Sequence, residues 1–265
     1  MEQTNIDIKG VVAICTTMSG GVATQGYVTS ILKIVDRLKS SGYTTVLHTI
    51  ASDTSKSIAK NLLIHDALKH EGLSGILFID SDRSVDDSDV LSMVESGKDL
   101  IAAIVPQDLI NWNNIRNAAL TYAEDVSLYS GVFTIDFLDR DTVVPYNDAF
   151  EVETVSSGLM YASKKVFTTV KTSCKNYLID SLEVNAGSEE ITEYFSSSID
   201  EETKELLSED YNFCKKWREN SESIWAAPWV KSAKTSPQTF NGSFLHTLEL
   251  ASTVKKLTEE SASND

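Results

Sequence analysis

The sequence predicts an α/β fold, a mixed and mostly parallel sheet with helices packed on its faces. Three observations carry this. Apolar runs of strand length alternate with segments whose apolar residues recur at helical spacing. The intervening segments are long enough for the crossover helices that parallel strands need. Finally, several apolar runs end in polar, chemistry-bearing residues, as strands do at the ligand side of such a sheet.

Residues 11–15 read as the first strand, followed by a polar, glycine-containing loop at 16–21. Val28, Ile31, Leu32, Val35 and Leu38 then mark a helix. Residues 44–50 are β-branched and strand-like. A helical period resumes over 55–71 through Ile58, Leu62 and Leu68, with His65 interrupting its apolar face. Residues 75–79 form a buried strand that ends in Asp80-Ser81-Asp82. Residues 84–96 open acidic and carry the stripe Val90, Leu91 and Val94, as a helix start should. Another buried strand, 100–105, is stopped by Pro106.

The second half is less regular. Strands are expected at 132–136 and 150–155, and a short helix at 164–172. The acidic, serine-rich stretch 188–207 reads as a mobile connection. A helix over 209–220 and an aromatic strand over 224–230 follow. One continuous domain over 1–256 with a flexible acidic tail at 257–265 is the simplest organisation.

With 42% hydrophobic residues in 265, the chain can bury a proper core. Its longest apolar runs are too short to span a bilayer, and its first residues lack the basic and apolar parts of a signal peptide. No membrane insertion and a cytoplasmic location are therefore expected. Cys15, Cys174 and Cys214 are odd in number and scattered, so they make neither a disulfide framework nor a zinc pattern. A net charge of -16 repels phosphate backbones. A nucleic-acid partner would have to be held by specific contacts.

Three chemistry-bearing segments leave the carboxyl ends of the expected strands and converge in such a sheet: Thr16-Thr17, Asp80-Ser81-Asp82 and residues 106–112. Two carboxylates one residue apart cost stability unless something pairs with them, and Mg²⁺ or Mn²⁺ bridging diphosphate oxygens does so well. The competing reading is that Asp82 or Ser84 caps the following helix. Glu209-Asp210 opens a helix, where carboxylates are favoured by the macrodipole alone. Lys60 by itself reads as a solvated helix charge, whereas Asn61 lies on the apolar side of its helix and needs a hydrogen-bond partner. Trp217, Trp225 and Trp229 read as core and wall residues.

Taken in order, the segments 75–82, 99–106 with Trp112, Thr16-Thr17, Tyr27, Ser57-Ile-Ala-Lys-Asn61, Ser157-Gly158-Leu-Met160, 208–217, Ile224-Trp225, Pro228 and Thr239-Phe-Asn-Gly242 cover most of the chain. In this the sequence resembles the compact GT-A glycosyltransferases of phages, large viruses and some bacteria. The resemblance implies a Rossmann-like GT-A sheet, with a donor half at about 1–130 and an acceptor half at 131–256. It implies that Asp80 and Asp82, with Ser81 between them, bind a nucleoside-diphosphate sugar through its ribose and a Mn²⁺ or Mg²⁺ ion. Lys60-Asn61 stands where the family has Arg-Asn on the diphosphate side, and Thr16 and Thr17 would face the base or phosphate. Asp210 or Glu209 would take the acceptor's proton if the enzyme inverts, or position the acceptor if it retains. The nearest functional analogy is with phage enzymes that glycosylate hydroxymethylated pyrimidines in DNA, which would put this protein in a host's cytoplasm.

The sequence departs from that pattern at one place. Counting back from Phe240 and Gly242, Lys234 stands where relatives carry a metal-binding His. A protonated lysine cannot ligate a cation, but it can neutralise a diphosphate, so strict metal dependence is not expected. His246, nearby, sits in an apolar helical pattern and reads as packing. Two alternatives stay beside the transferase: a nucleotidyltransferase, and an inactive nucleotide-sugar-binding protein on the same scaffold.

Overall fold

Strand formation follows the apolar runs in the computed structural model, which describes residues 8–51, 55–122, 124–139, 141–142, 144–180, 188–201 and 203–237. Met1–Thr235 forms one compact unit and Ser236–Asp265 a second; every element below belongs to the first. In the first half, β1 (Gly10–Met18), α1 (Gln25–Ser40), β2 (Tyr43–Ala51), α2 (Lys56–Ala67) and β3 (Leu73–Ile79) alternate as the periodicity requires. Then come β4 (Arg83–Val85), α3 (Asp87–Val94), β5 (Leu100–Ala103) and α4 (Trp112–Leu120). The second half supplies β6 (Asp136–Phe137), β7 (Phe150–Thr154), β8 (Leu159–Ser163), α5 (Lys164–Val170), β9 (Asn176–Asp180) and β10 (Ser188–Thr192). The short strands β11 (Ser198–Ile199) and β12 (Leu206–Leu207), then α6 (Glu209–Arg218), β13 (Ile224–Ala227) and β14 (Ser232–Lys234), complete it.

The main sheet has eight strands in the order β2-β1-β3-β8-β5-β13-β7-β6. β1 is parallel to β2 and β3, and β13 is parallel to β5, while β8 and β7 run against their neighbours. This is the mixed, mostly parallel sheet that the sequence predicts. Side chains alternate between its faces with period two. Val12, Ile14, Leu77 and Ile79 pack under α1 and α3. Ala13, Cys15, Ile76 and Phe78 pack under α2, α5 and α6. β8 can lie against β3 because residue 75 is glycine: a Cβ there would stand 2.6 Å from the Ala162 carbonyl oxygen.

Four local expectations are corrected. Residues 16–18 belong to β1, not to a loop, because β2 pairs along it to Met18↔Ala51 after β3 has left at Cys15↔Phe78. Residues 84–85 are strand, since β4 pairs with β14, and α3 starts only after Asp86, whose side chain accepts from Ser88 N–H. Of 132–136, only Asp136 enters the sheet; Val132 instead accepts from Gln107 N–H at 2.9 Å. The stretch 188–207 carries three strands and core anchors, not a loose connection. Ile191, Tyr194 and Phe195 in it are fully buried, and Phe195 stacks on Phe213 with ring centroids 4.4 Å apart. Among the described residues, no helix is long and apolar enough to cross a membrane. The tail at 257–265 lies outside the described residues.

Asn61 finds the partner its buried position demands. Its Nδ2 donates to the Phe195 carbonyl at 3.0 Å, and Phe195 N–H donates back to its Oδ1 at 2.8 Å. Removing a buried partner leaves both backbone groups unsatisfied. Asn61→Ala should therefore lower the unfolding free energy by about 2–4 kcal/mol, read as a fall in the urea midpoint at unchanged slope. A loss within about 0.5 kcal/mol, the range of ordinary surface substitutions, would show that the clamp is dispensable.

Candidate functional site

Asp80-Ser81-Asp82 forms a tight turn at the carboxyl end of β3, closed by Arg83 N–H donating to the Asp80 carbonyl at 3.1 Å. Three outside contacts clamp its backbone. Thr24, the N-cap of α1, donates its N–H to the Ser81 carbonyl at 2.9 Å. Asp80 N–H donates to the Gly158 carbonyl at 3.0 Å, and Thr235 N–H to the Asp82 carbonyl at 2.9 Å. Gly158 keeps this corner open, since a Cβ there would meet Asp80 Oδ2 at 3.1 Å and Arg83 Nε at 3.3 Å. Asp86 caps α3, so helix capping does not account for Asp82.

The Asp82 carboxylate is in an unfavourable place for a lone anion. Its Oδ1 is buried and has no hydrogen-bond partner. Burial, and then the Asp80 charge, raise its pKa above the ordinary 3.8. Lys234 and then Arg83 offset this in part. The Lys234 Nζ lies 3.8 Å from Asp82 Oδ2 and 2.5 Å from Asp108 Oδ2. Register on β14 opposite β4 puts Lys234 across from Arg83.

The second cluster lies where α2 meets α6. Ser208 caps α6, and Glu209 and Asp210 occupy its first turn as macrodipole complementarity favours. Lys60 is not a solvated helix charge: it is 5% exposed, with its ammonium 4.8 Å from the Phe195 ring centroid. It donates to Asp210 Oδ1 at 2.8 Å and Glu209 Oε1 at 3.3 Å. Ser157 adds its N–H to Asp210 Oδ2 at 3.0 Å and its Oγ–H to Oδ1 at 2.7 Å. Burial pushes the Asp210 carboxyl up, but the Lys60 ammonium and the Ser157 donors outweigh it and hold it below 3.8. Burial likewise pushes Lys60 down, and Asp210 followed by Glu209 outweighs that and holds it above 10.5.

A cleft of about 380 Å³ opens beyond the ends of β5, β7 and β13. Arg83, Lys234 and Asp108 line one part of it, and Asp136, Asp210 and Tyr211 another, over the backbone of residues 102–107. Of the residues picked one by one from the sequence, Asp210 and Lys234 line this cleft, and Pro106, Gln107 and Asp108 of the 106–112 segment line it as well. Asp80, Ser81 and Asp82 precede Arg83 in the clamped turn and do not line the cleft. Thr16 is 1% exposed with its hydroxyl accepting from Tyr27 at 2.8 Å, and Asn61 is spent on Phe195, so neither side chain faces open space. Thr17 is half-buried near the end of β1. Trp217 is core, donating its Nε1–H to the Ser223 carbonyl at 3.0 Å.

Sequence reading missed Arg83 and Asp136, and reached Asp108 only as part of the 106–112 segment. Arg83 directly follows the acidic pair, which was the available signal, and Asp108 follows a strand end. The carboxylate at 136 carries none, because only the tertiary fold brings it to the cleft. The 239–242 element and His246 lie outside the described residues. Among the described residues, no group of three or more His, Cys, Asp or Glu side chains is arranged to hold a metal ion.

Neither a protein-family model nor a curated protein matches the sequence. Among solved structures the chain is similar to A197 from STIV, at 11% identity and a TM-score of 0.45 over 85% of this chain and 86% of that one. It is also similar to GalNAc-T7, crystallised with UDP, GalNAc and Mn2+, at 8% identity and a TM-score of 0.41 over 91% of this chain. The match spans 46% of the GalNAc-T7 chain, about half its length.

The Lys60–Asp210 pair makes a prediction about stability. Removing one partner of a buried pair strands the other, so Lys60→Met should cost about 3–5 kcal/mol at pH 7. Because the folded pKa of Asp210 is depressed, its contribution is present above its ordinary 3.8 and lost as pH falls through the lower folded value. Lys60 is raised, so its share is present below 10.5 and lost as pH climbs through its folded value. Urea unfolding of wild type and variant should show a wide gap at neutral pH that narrows in acid. A gap of constant size down to pH 2 would refute the electrostatic account.

Proposed function

We propose that this chain is a nucleotide-sugar-dependent glycosyltransferase of the GT-A type, moving a glycosyl group from a nucleoside-diphosphate sugar to a hydroxyl acceptor in the cleft. The observation that carries the reading is the Asp82 carboxylate. One of its oxygens is buried without a partner, in a turn clamped from three sides, at the ligand end of a mostly parallel sheet. An enzyme that did not use this group would gain stability by losing it.

The residues fit a divalent cation in the donor set they offer. Asp82 has an unpartnered hard-oxygen atom and Asp80 adjoins it; phosphate and water would have to supply the remaining ligands. Such an ion, Mn²⁺ or Mg²⁺, would supply charge to the departing diphosphate. Lys234 supplies part of that charge itself, close to Asp82 and held by Asp108. On the other side of the cleft Asp210 is ionised at neutral pH. Ser157 N–H is the donor on its Oδ2, which leaves that oxygen able to accept from a substrate hydroxyl. In an inverting reaction Asp210 takes the hydroxyl's proton as the sugar–oxygen bond forms and the sugar–diphosphate bond breaks; in a retaining one it positions the acceptor. Glu209, outside the cleft lining, shares Lys60 with Asp210 and acts through it. Lys60 and Asn61 hold α2 in place behind the site. The acceptor that the sequence resemblance suggests is a hydroxymethylated pyrimidine in DNA.

A panel of nucleotide sugars tests the reading through slow release of nucleoside diphosphate in the absence of acceptor. Asp82→Ala should abolish that release while leaving the melting temperature unchanged or raised, because a raised folded pKa marks a carboxylate that destabilises the native state at neutral pH. Asp210→Asn should keep donor affinity and lose transfer by roughly 10²–10⁴-fold. Undiminished turnover in both variants would remove the assignment, and donor binding without any turnover would leave a nucleotide-sugar-binding protein.

Lys234 is tested by titrating Mn²⁺. Wild type should keep donor binding after chelation, Lys234→His should depend more steeply on the metal, and Lys234→Ala should fall below both. Three superimposable activity curves would exclude Lys234 from the site.

A further inference from the structure

Arg83 is a buried cation that the proposed reaction does not use. It is 5% exposed and lines the cleft. Its Nη1 donates to the Pro106 carbonyl at 2.9 Å, whereas its Nε is buried without a partner. Among the described residues it forms no close ion pair: Asp82, next to it in the chain, feels its charge without a close contact, and the carboxylates that line the cleft have other company. Asp108 holds Lys234, Asp210 holds Lys60, and Asp136 accepts from Thr154 Oγ1–H. Desolvating a guanidinium is costly unless an anion compensates it, and the planar fork of arginine matches phosphate and carboxylate oxygens.

Its location says which substrate that anion belongs to. Asp80, Ser81 and Asp82, the carriers of the donor in the reading above, do not line the cleft. Lys234, the donor-side cation, lines it beside Arg83 but is already held by Asp82 and Asp108, and Asp210 on the acceptor side lines it too. Gly158 keeps the corner that the guanidinium shares with Asp80 from being filled, since a Cβ there would lie 3.1 Å from Asp80 Oδ2, 3.3 Å from Nε and 3.5 Å from Nη2. We infer that the acceptor carries an oxyanion, a phosphate or a carboxylate, which pairs with Arg83 while its hydroxyl faces Asp210. The inference rests on the proposal that this cleft is the acceptor site, and it narrows acceptors to anionic hydroxyl compounds, a nucleotide phosphate included. It also gives a protein of net charge -16 a local means of holding an anion that its overall field repels.

The test uses the full chain with inorganic phosphate and, separately, acetate, titrated by calorimetry at constant ionic strength with and without saturating UDP. Wild type should bind at least one of the two anions saturably, with UDP present as well as absent. Arg83→Gln should weaken that binding by about tenfold or more, the worth of a charged hydrogen bond, and Arg83→Lys should retain part of it. Because Arg83→Gln removes a buried group, anion-induced stabilisation of the wild type against heat, compared with equal chloride, gives a reading independent of any variant. Absence of saturable binding overturns the inference, as does binding that Arg83→Gln leaves intact, the result expected if Asp80 closes on Arg83 instead. Loss of anion binding when UDP is added assigns the anion to the donor and overturns it too. UDP binding tests the transferase reading separately, so the two can fail independently.

Discussion

An ammonium group cannot be taken out of water without a compensating anion, and Lys60 is almost wholly out of water. Its counterions, Asp210 and Glu209, lie about 150 positions away in the sequence, on the first turn of α6. Satisfying that one charge therefore docks α6 against α2, and Ser157 extends the network to the segment leading into β8. The same segment supplies the Gly158 carbonyl that holds Asp80. Two acidic clusters far apart in the chain are thus joined through one short stretch of backbone.

The cleft follows from strand direction. Because β8 runs antiparallel between β3 and β5, the chain passes Gly158 at the carboxyl edge of both, where a parallel sheet exposes its ligand-binding ends. Charges along this edge are arranged by pairing: Lys234 with Asp108, Lys60 with Asp210. Two polar atoms of this corner are left without hydrogen-bond partners, Oδ1 of Asp82 and Nε of Arg83, although the two charges feel each other. One is an acceptor and the other a donor, side by side in one turn. That asymmetry gives the site a polarity on which a reaction between two substrates can be oriented.

Much of the architecture is legible because burial imposes period on sequence. Strands at 11–15, 44–50 and 75–79, and the helices between them, can be read from apolar spacing alone. The failures share a cause. Residues 188–207 look solvent-loving, yet Ile191, Tyr194 and Phe195 anchor them in the core, and the Asn61 clamp that secures Phe195 is a contact across 134 positions. Acidic neighbours make Ser84 look helical; pairing of β4 with β14, nearly 150 residues later, overrides that local preference. Polarity makes Thr16 look like a loop residue, although a polar side chain is tolerated in a buried strand once Tyr27 satisfies it.

By itself the sequence determined the α/β class, the order of the first five elements and the acidic pair at the end of β3, because each depends on local periodicity and on where an apolar run stops. It also marked Asn61 as a buried amide in need of a partner and Glu209-Asp210 as the start of a helix. Tertiary structure alone decided that Lys60 is buried and paired, that Asp82 caps nothing, that Lys234 reaches Asp82 and Asp108, and that Arg83 faces a cleft. Those outcomes rest on which distant residue fills the space around a charge. Desolvation and Coulomb energy are set by that surrounding space, which sequence spacing does not encode.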